Sequence, residues 1–148
     1  MKKKFVRPQI QVEVIEDINE PVYMACSGSN LFSVSVSDYT HQEYETGRYD
    51  DRCQVNAEYH GAPYVGDLYM TATFEKPVNI KTLGWGFQPY LDERGSYTVV
   101  AVKRGVNLNG VEDIGFGDLI VELESGGTAG DTAGIPKISF SFNPNGCA

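Results

Sequence analysis

The sequence predicts an all-β protein, folded as an antiparallel β-sandwich. Apolar and polar residues alternate in several segments, as expected for strands with one buried and one wet face. Glycine-rich turns separate these segments at the spacing of neighbouring strands. No long segment repeats with the 3.6-residue period of an amphipathic helix. Alternating strands separated by turns favour a sandwich or a barrel.

The first predicted strand covers residues 9–15. Its apolar side chains, Ile10, Val12 and Val14, alternate with polar ones, which is the pattern of a half-buried strand. Pro8 is compatible with the start of a strand, where its missing N–H breaks no ladder hydrogen bond.

A flexible link follows this strand. Residues 22–26 predict a second short strand, and residues 26–30, "CSGSN", are flexible by composition. The chain therefore divides into residues 1–30, a basic tail with a strand and a link, and residues 31–148, the sandwich domain.

Cys26 follows a basic start, as the cysteine of a lipoprotein signal does, but the segment before it is not apolar. It carries Glu13, Glu16, Asp17 and Glu20, which are incompatible with an apolar signal helix. We expect neither lipidation nor a classical secretion signal. The expected route is cytoplasmic synthesis, with a cytoplasmic, non-classically exported or virion location.

The body of the chain predicts a succession of further strands. They cover residues 31–38, 53–60, 67–76, 79–90, 96–105, 118–126 and 136–144. The inward side chains are Phe32, Val34, Val36, Cys53, Val55, Ala57, Tyr59, Leu68, Met70, Ala72, Phe74, Leu83, Trp85, Phe87, Ile138, Phe140 and Phe142. Two long loops remain, the acidic and tyrosine-rich residues 38–52 and the small-residue segment 124–135. Long loops on a β scaffold are common sites of function.

The charge distribution disfavours two classes of partner. The formal net charge is −8, and residues 8–148 carry 8 − 20 = −12, because four of the twelve basic residues lie in the first seven positions. Such a body repels phosphate backbones, so we expect no nucleic-acid partner. No apolar run approaches the roughly 20 residues of a membrane helix, so we expect no membrane partner.

The cysteines and histidines do not predict a zinc site or a nucleophilic centre. Cys26, Cys53 and Cys147 lack metal-site spacing, and reduced thiols are the expected state. Cys53 and His60 have opposite parity on one predicted strand, so they face opposite sides and do not predict a catalytic pair.

Acidic residues offer two weaker chemical alternatives. The carboxylate pairs Glu43/Glu45 and Asp50/Asp51 match a glycosidase by residue type, but solvated surface is the stronger interpretation. No cofactor is predicted. A calcium ion held in a loop through Asp113 or Asp118 is the one alternative.

Aromatic side chains are the candidate ligand-binding residues, because sugar-binding proteins often stack a ring on a pyranose face. These candidates are Tyr39, Tyr44, Tyr49, Tyr64 and Trp85. Trp85 shares its parity with Leu83 and Phe87, so core packing is the stronger expectation for it. We expect the tyrosines to be the better-exposed rings, with ordinary rim tyrosine as the alternative.

The run "LYMTATFEKPVNIKTLGWGF", followed by "GSYTVVAVKRGVNLNG", resembles the galactose-binding-like, discoidin-type jelly roll found in many carbohydrate-binding modules. The matching residues are Phe74, Lys76, Pro77, Val78, Ile80, Tyr97, Val99 and Gly105. The resemblance implies a jelly-roll-like β-sandwich. The chain has neither the tryptophan that usually follows the Gly105 turn nor the paired cysteines of discoidin domains. The resemblance therefore bears on the fold more than on the ligand.

Three functions are compatible with these patterns. The first is a non-catalytic binding module for carbohydrate or a protein surface. The second is an assembly protein, such as a virion, surface-layer or filament subunit, in which residues 9–15 pair with a neighbouring copy. The third is an enzyme, which is the weakest because no nucleophilic or metal-binding residues cluster. We expect the binding module.

Overall fold

The computed structural model describes residues 31–91, 94–126 and 129–144, and these residues form an all-β, antiparallel fold. The strands are β1 (Phe32–Glu45), β2 (Arg48–Tyr59), β3 (Tyr64–Thr82), β4 (Gln88–Pro89), β5 (Ser96–Leu108), β6 (Glu112–Asp113), β7 (Gly117–Leu123) and β8 (Lys137–Ser141). Within these ranges no helix is long and apolar enough to cross a membrane. The predicted fold class is confirmed.

All eight strands belong to one hydrogen-bonded sheet. Its main order is β1-β2-β7-β3-β5-β4, while β6 pairs with β2 and β8 pairs with β3. Every pairing is antiparallel. The central strand β3 pairs with β5 and β8 along its first half and with β7 along its second half. Strand β3 therefore changes its partner strands along its length, which gives the sheet a sandwich-like form around a single core.

Strand β3 joins two segments that the sequence predicts as separate strands. Its pairing with β5 is irregular between Thr73 and Val78, so residues 74–77 have no regular ladder partners on β5. Pro77, which has no N–H, lies at this irregularity. Its carbonyl oxygen accepts a hydrogen bond from the Glu124 N–H at 3.0 Å. The proline is therefore accommodated inside a continuous strand instead of ending it.

The core is aromatic at its centre and confirms most of the predicted inward side chains. The ring of Phe140 lies 5.8 Å from that of Phe32 and 6.2 Å from that of Phe116, measured between centroids. The buried inward residues are Phe32, Val34, Val36, Cys53, Val55, Ala57, Tyr59, Leu68, Met70, Ala72, Phe74, Phe87, Ile138 and Phe140. Leu83 and Phe142 are half-buried and pack against this core.

The predicted loop 38–52 is wrong, because these residues continue β1 and β2 as a long hairpin. The strands meet at a tight turn in which Gly47 has a φ of +78°. Near the other end of the segment, β1 contains a bulge between Ser37 and Thr40, with Asp38 at a φ of +56°. The acids and tyrosines that resemble loop composition are therefore strand residues with partners on neighbouring strands.

The predicted strand 79–90 is wrong in its second half. Strand β3 ends at Thr82, and β4 begins only at Gln88. Residues 83–87, hereafter the Trp85 loop, lie between them. Gly86 has a φ of +82°, which breaks the alternation of strand side chains. Phe87 still reaches the core, whereas Trp85 is 81% exposed. The expectation that Trp85 packs in the core is wrong.

Several predictions fall outside the described residues. The strand 9–15, the short strand 22–26, the link and the whole of segment 1–30 are among them, as are Cys26 and Cys147. The described residues of the predicted loop 124–135 lie between β7 and β8, as expected.

Candidate ligand-binding surface

Tyr39 is half-buried at the bulge of β1 and its hydroxyl is fully engaged. It donates a hydrogen bond to Asp51 Oδ2 at 2.6 Å and accepts one from the Gly134 N–H at 3.2 Å. Burial, followed by the hydrogen bond to Asp51, raises the pKa of Tyr39 to about 12. Tyr39 therefore joins the bulge of β1 to the segment between β7 and β8.

Tyr44 lies near the turn of the hairpin, within a network of charged side chains. Its hydroxyl donates to Glu122 Oε2 at 2.7 Å, and Arg48 binds the same carboxylate at 3.0 Å. The Lys81 ammonium lies 3.0 Å from the centroid of the Tyr44 ring, so a cation covers one ring face. Burial and the bond to Glu122 raise the pKa of Tyr44.

Tyr49 and Tyr64 each stack on another ring. Tyr49 lies 5.1 Å from the His41 ring at an interplanar angle of 11°. Tyr64 lies 3.7 Å from the Phe142 ring at 15°, and its hydroxyl donates to the Asp67 carbonyl at 2.9 Å. One face of each tyrosine is thus covered by the protein itself.

The structure brings only two of the four tyrosines into one cluster, and all four are half-buried. Tyr39 and Tyr49 meet through Asp51 and His41, whereas Tyr64 stacks on Phe142. The expectation that they are better exposed than Trp85 is wrong. Their role in binding stays a prediction.

Trp85 has the largest exposed fraction among the large hydrophobic side chains that the structure describes. Its backbone is held firmly. The Trp85 N–H donates to the Phe116 carbonyl at 3.1 Å, and the Phe87 N–H donates to the Gly84 carbonyl at 3.0 Å. Gly84 packs so closely on Phe116 that a Cβ atom at this position would lie 2.6 Å from its ring. The indole therefore projects from a fixed loop.

Lys103 lies beside Trp85. It is a half-buried residue of β5, and its ammonium lies 5.4 Å from the Trp85 ring centroid and 5.9 Å from that of Phe87. Both distances fall in the range of cation–π contacts. We call Trp85 and Lys103 together the Trp85 platform.

An open cleft of about 270 Å³ is lined by residues on both sides of Trp85 in the loop. Leu83 and Phe87 form part of its wall together with Pro89 and Leu91. Its lining also includes two cationic side chains, Lys81 and Arg94. The Trp85 loop therefore contributes both an exposed ring and part of the wall of a concave surface.

The carboxylates predicted to be solvated surface divide into two groups. Glu43 and Glu45 are exposed, as expected. Asp50 and Asp51 are only 1% and 4% exposed, so the prediction is wrong for them. Because neighbouring strand residues point to opposite faces, these two carboxylates do not act as a pair.

Each buried aspartate has its own set of partners. Asp50 accepts from Arg52 Nε at 3.0 Å and lies 3.5 Å from the Lys81 ammonium. Asp51 Oδ1 lies 2.7 Å from His41 Nδ1, and Asp51 Oδ2 accepts from the Ala133 N–H at 2.7 Å. The contact of Asp51 with Ala133 joins distant parts of the chain, whereas Asp50 and Arg52 lie on the same strand.

Cys53 and His60 do not lie together as a nucleophilic pair. Cys53 is buried, and burial raises the pKa of its thiol to about 12. His60 lies beyond the end of β2, with its Nε2 atom 2.7 Å from Ser33 Oγ. No group of three or more histidine, cysteine or acidic side chains suitable for a metal occurs within the described ranges. The calcium alternative at Asp113 or Asp118 stays a prediction.

The sequence contains a signal for the exposed tryptophan but none for the lysine beside it. The glycines on both sides of Trp85 indicate a bend or bulge, where the alternation of strand side chains often breaks. Lys103 lies within β5, whose sequence alternates in the ordinary way, and only the tertiary structure brings it to Trp85. No protein-family model matches the chain, and no curated protein matches it.

Proposed function

We propose that this protein is a non-catalytic binding module that binds carbohydrate on the Trp85 platform. The observation that carries the proposal is the 81% exposure of Trp85 on a loop fixed by backbone hydrogen bonds. An exposed tryptophan is costly to leave in water, because its large apolar surface gains free energy when it is covered. A pyranose face covers such a ring without needing a deep pocket.

The rigidity of the Trp85 loop supports binding. A ring that is already oriented loses little conformational freedom when a ligand stacks on it. The Trp85 N–H bond to Phe116 and the close contact of Gly84 with Phe116 fix the backbone on the core before any ligand arrives. The adjoining cleft offers space for further sugar units beside the stacked one.

The jelly-roll-like arrangement is part of the same proposal. The resemblance to discoidin-type domains implies it, and the antiparallel sheet with one core is compatible with it.

Binding to glycans can be tested with an array of oligosaccharides, followed by titration calorimetry of the full chain. We expect Trp85→Ala to weaken binding at least about fivefold, since stacking on one ring is worth about 1 kcal/mol or more. Tyr97→Ala is the matched control, because Tyr97 is 56% exposed but lies six residues from Lys103 along β5, about 20 Å away. A glycan affinity that Trp85→Ala leaves unchanged would overturn the proposal.

Assembly through an added strand is the second candidate function. Among the described strands, the fourteen-residue β1 pairs only with β2, so one edge of β1 has no strand partner there. An open edge accepts an extended segment through backbone hydrogen bonds. Residues 9–15 of a neighbouring copy are the proposed occupant.

Light scattering on a size-exclusion column separates the two functions. The full chain and a version lacking residues 1–30 should both be monomers if the protein acts only as a binding module. A full chain that assembles, beside a truncated chain that does not, would identify the N-terminal segment as the assembly device.

A further inference from the structure

We propose that the carbohydrate bound at the Trp85 platform is acidic, a hexuronic acid whose carboxylate pairs with Lys103 while its ring stacks on Trp85. This inference rests on the proposed function and names the ligand class for the same site. Two observations support it: Lys103 has no carboxylate partner among the described residues, and its ammonium lies beside the Trp85 ring.

Most basic side chains of the described residues are already paired with carboxylates. Those within 4.0 Å of one are Arg48, Arg52, Lys76, Lys81 and Arg104. Lys103 has no such partner within the described ranges, although its chain is strongly acidic. Its neighbours are instead the rings of Trp85 and Phe87. The ammonium at the exposed tryptophan is thus left with its charge uncompensated.

The stem of Lys103 is held in place by packing. A Cβ atom at Gly86 would lie 2.9 Å from Lys103 Cε, so the lysine stem runs directly over the backbone of the Trp85 loop. The absence of a side chain at Gly86 makes room for this path. Because the stem is packed and half-buried, the ammonium is presented next to the indole.

A hexuronic acid fits this pair of groups. Its pyranose face offers C–H groups to the indole, and its carboxylate projects from the edge of the ring, where a neighbouring ammonium can donate to it. A charge-assisted hydrogen bond is stronger than a neutral one. Net repulsion by the acidic body is screened beyond about 8 Å at physiological ionic strength, so the local cation decides the interaction.

The test compares two oligosaccharides that differ only at C6. One is a β-1,4-linked glucose hexamer, and the other is the corresponding β-1,4-linked glucuronic acid hexamer. Titration calorimetry uses the full chain, Lys103→Met, Trp85→Ala and the control Lys137→Met. Methionine retains the apolar stem of Lys103, and Lys137 is an exposed lysine on β8 that also has no carboxylate partner in the described part.

The expected result is that the full chain binds the glucuronic acid hexamer about fivefold to tenfold more tightly than the glucose hexamer. Lys103→Met should remove this preference, so that the two hexamers bind with equal affinity. Lys137→Met should leave both affinities unchanged, and Trp85→Ala should weaken both.

Two other results distinguish failure of the acidic ligand from failure of the carbohydrate-binding site. Equal affinity of the full chain for both hexamers, with both affinities weakened by Trp85→Ala, would overturn the acidic ligand and leave the carbohydrate-binding module standing. Binding of neither hexamer, or binding that does not depend on Trp85, would overturn the acidic ligand together with the site on which it rests.

Discussion

The Tyr39 hydroxyl donates a hydrogen bond to the buried carboxylate of Asp51 at 2.6 Å, across the bulge of β1. The same oxygen of Asp51 accepts the Ala133 N–H, and the other oxygen lies 2.7 Å from His41 Nδ1. One aspartate thus joins the β1–β2 hairpin to the connection between β7 and β8. A buried carboxylate with several donors is a stabilising junction, and its partners lose their hydrogen bonds if it is removed.

Replacement of Asp51 by alanine should destabilise the protein by about 3 kcal/mol, because the Tyr39 hydroxyl and the Ala133 N–H are left unsatisfied in a buried place. Asp51→Asn should cost less, since the amide oxygen can still accept both donors. Urea unfolding followed by circular dichroism measures the two differences. Equal costs for the two variants would show that the charge, not the hydrogen-bond geometry, is what stabilises this junction.

The protein should lose stability as pH rises from about 10 towards 12. The pKa of Tyr39 is raised from 10.0 to about 12 in the folded state by burial and by Asp51. The folded protein therefore keeps a proton that the unfolded chain has already released in this window, and stability falls with increasing pH. Below about pH 10 both states hold the proton, so this contribution is constant.

Urea unfolding across this pH range measures the slope, and Tyr39→Phe should make it shallower. Tyr97→Phe is the control, because Tyr97 is an exposed residue at the start of β5. An unchanged slope for Tyr39→Phe would show that other groups account for the alkaline loss.

Alternation in the sequence predicts the strands where burial follows apolarity, and fails where polar residues are buried. Met70 and Phe140 follow the two-residue period and are completely buried. Asp50 and Asp51 are buried because basic and hydrogen-bonding partners satisfy their carboxylates, among them Arg52 on the same strand and Ala133 far along the chain. A pattern of hydrophobicity contains no information about such partners, so it predicts a loop where the hairpin lies.

The candidate site was predictable only in part. The residue type of Trp85 marked it as a candidate, but its parity with Phe87 pointed to the core. The positive φ of Gly86 changes that parity within two residues. Lys103 lies eighteen positions further along the chain and reaches the indole through strand pairing and loop packing, which no local pattern encodes.

Gly84→Ala should lower both stability and any Trp85-dependent binding. A Cβ atom at this position would lie 2.6 Å from the Phe116 ring and still closer to the Phe116 carbonyl that accepts the Trp85 N–H. The loop must shift, at a cost of about 1–3 kcal/mol. Gly130→Ala is the matched control, because a Cβ there meets nothing within 4 Å. Thermal unfolding of both variants checks the difference, and equal midpoints would contradict the tight packing of the Trp85 loop.

The Cys53 thiol should be unreactive in the folded protein. It is buried in the inner face of β2, and burial is the main cause that raises its pKa to about 12, so very little thiolate exists near neutral pH. In a Cys26→Ser, Cys147→Ser background, Cys53 is the remaining thiol, and an aromatic disulfide reagent reports its modification by absorbance. We expect modification only as fast as the protein unfolds, with the rate rising in parallel with added urea. Modification at the rate of a free thiol in the absence of urea would show that β2 opens locally. The reagent can reach Cys53 only when the core around it opens.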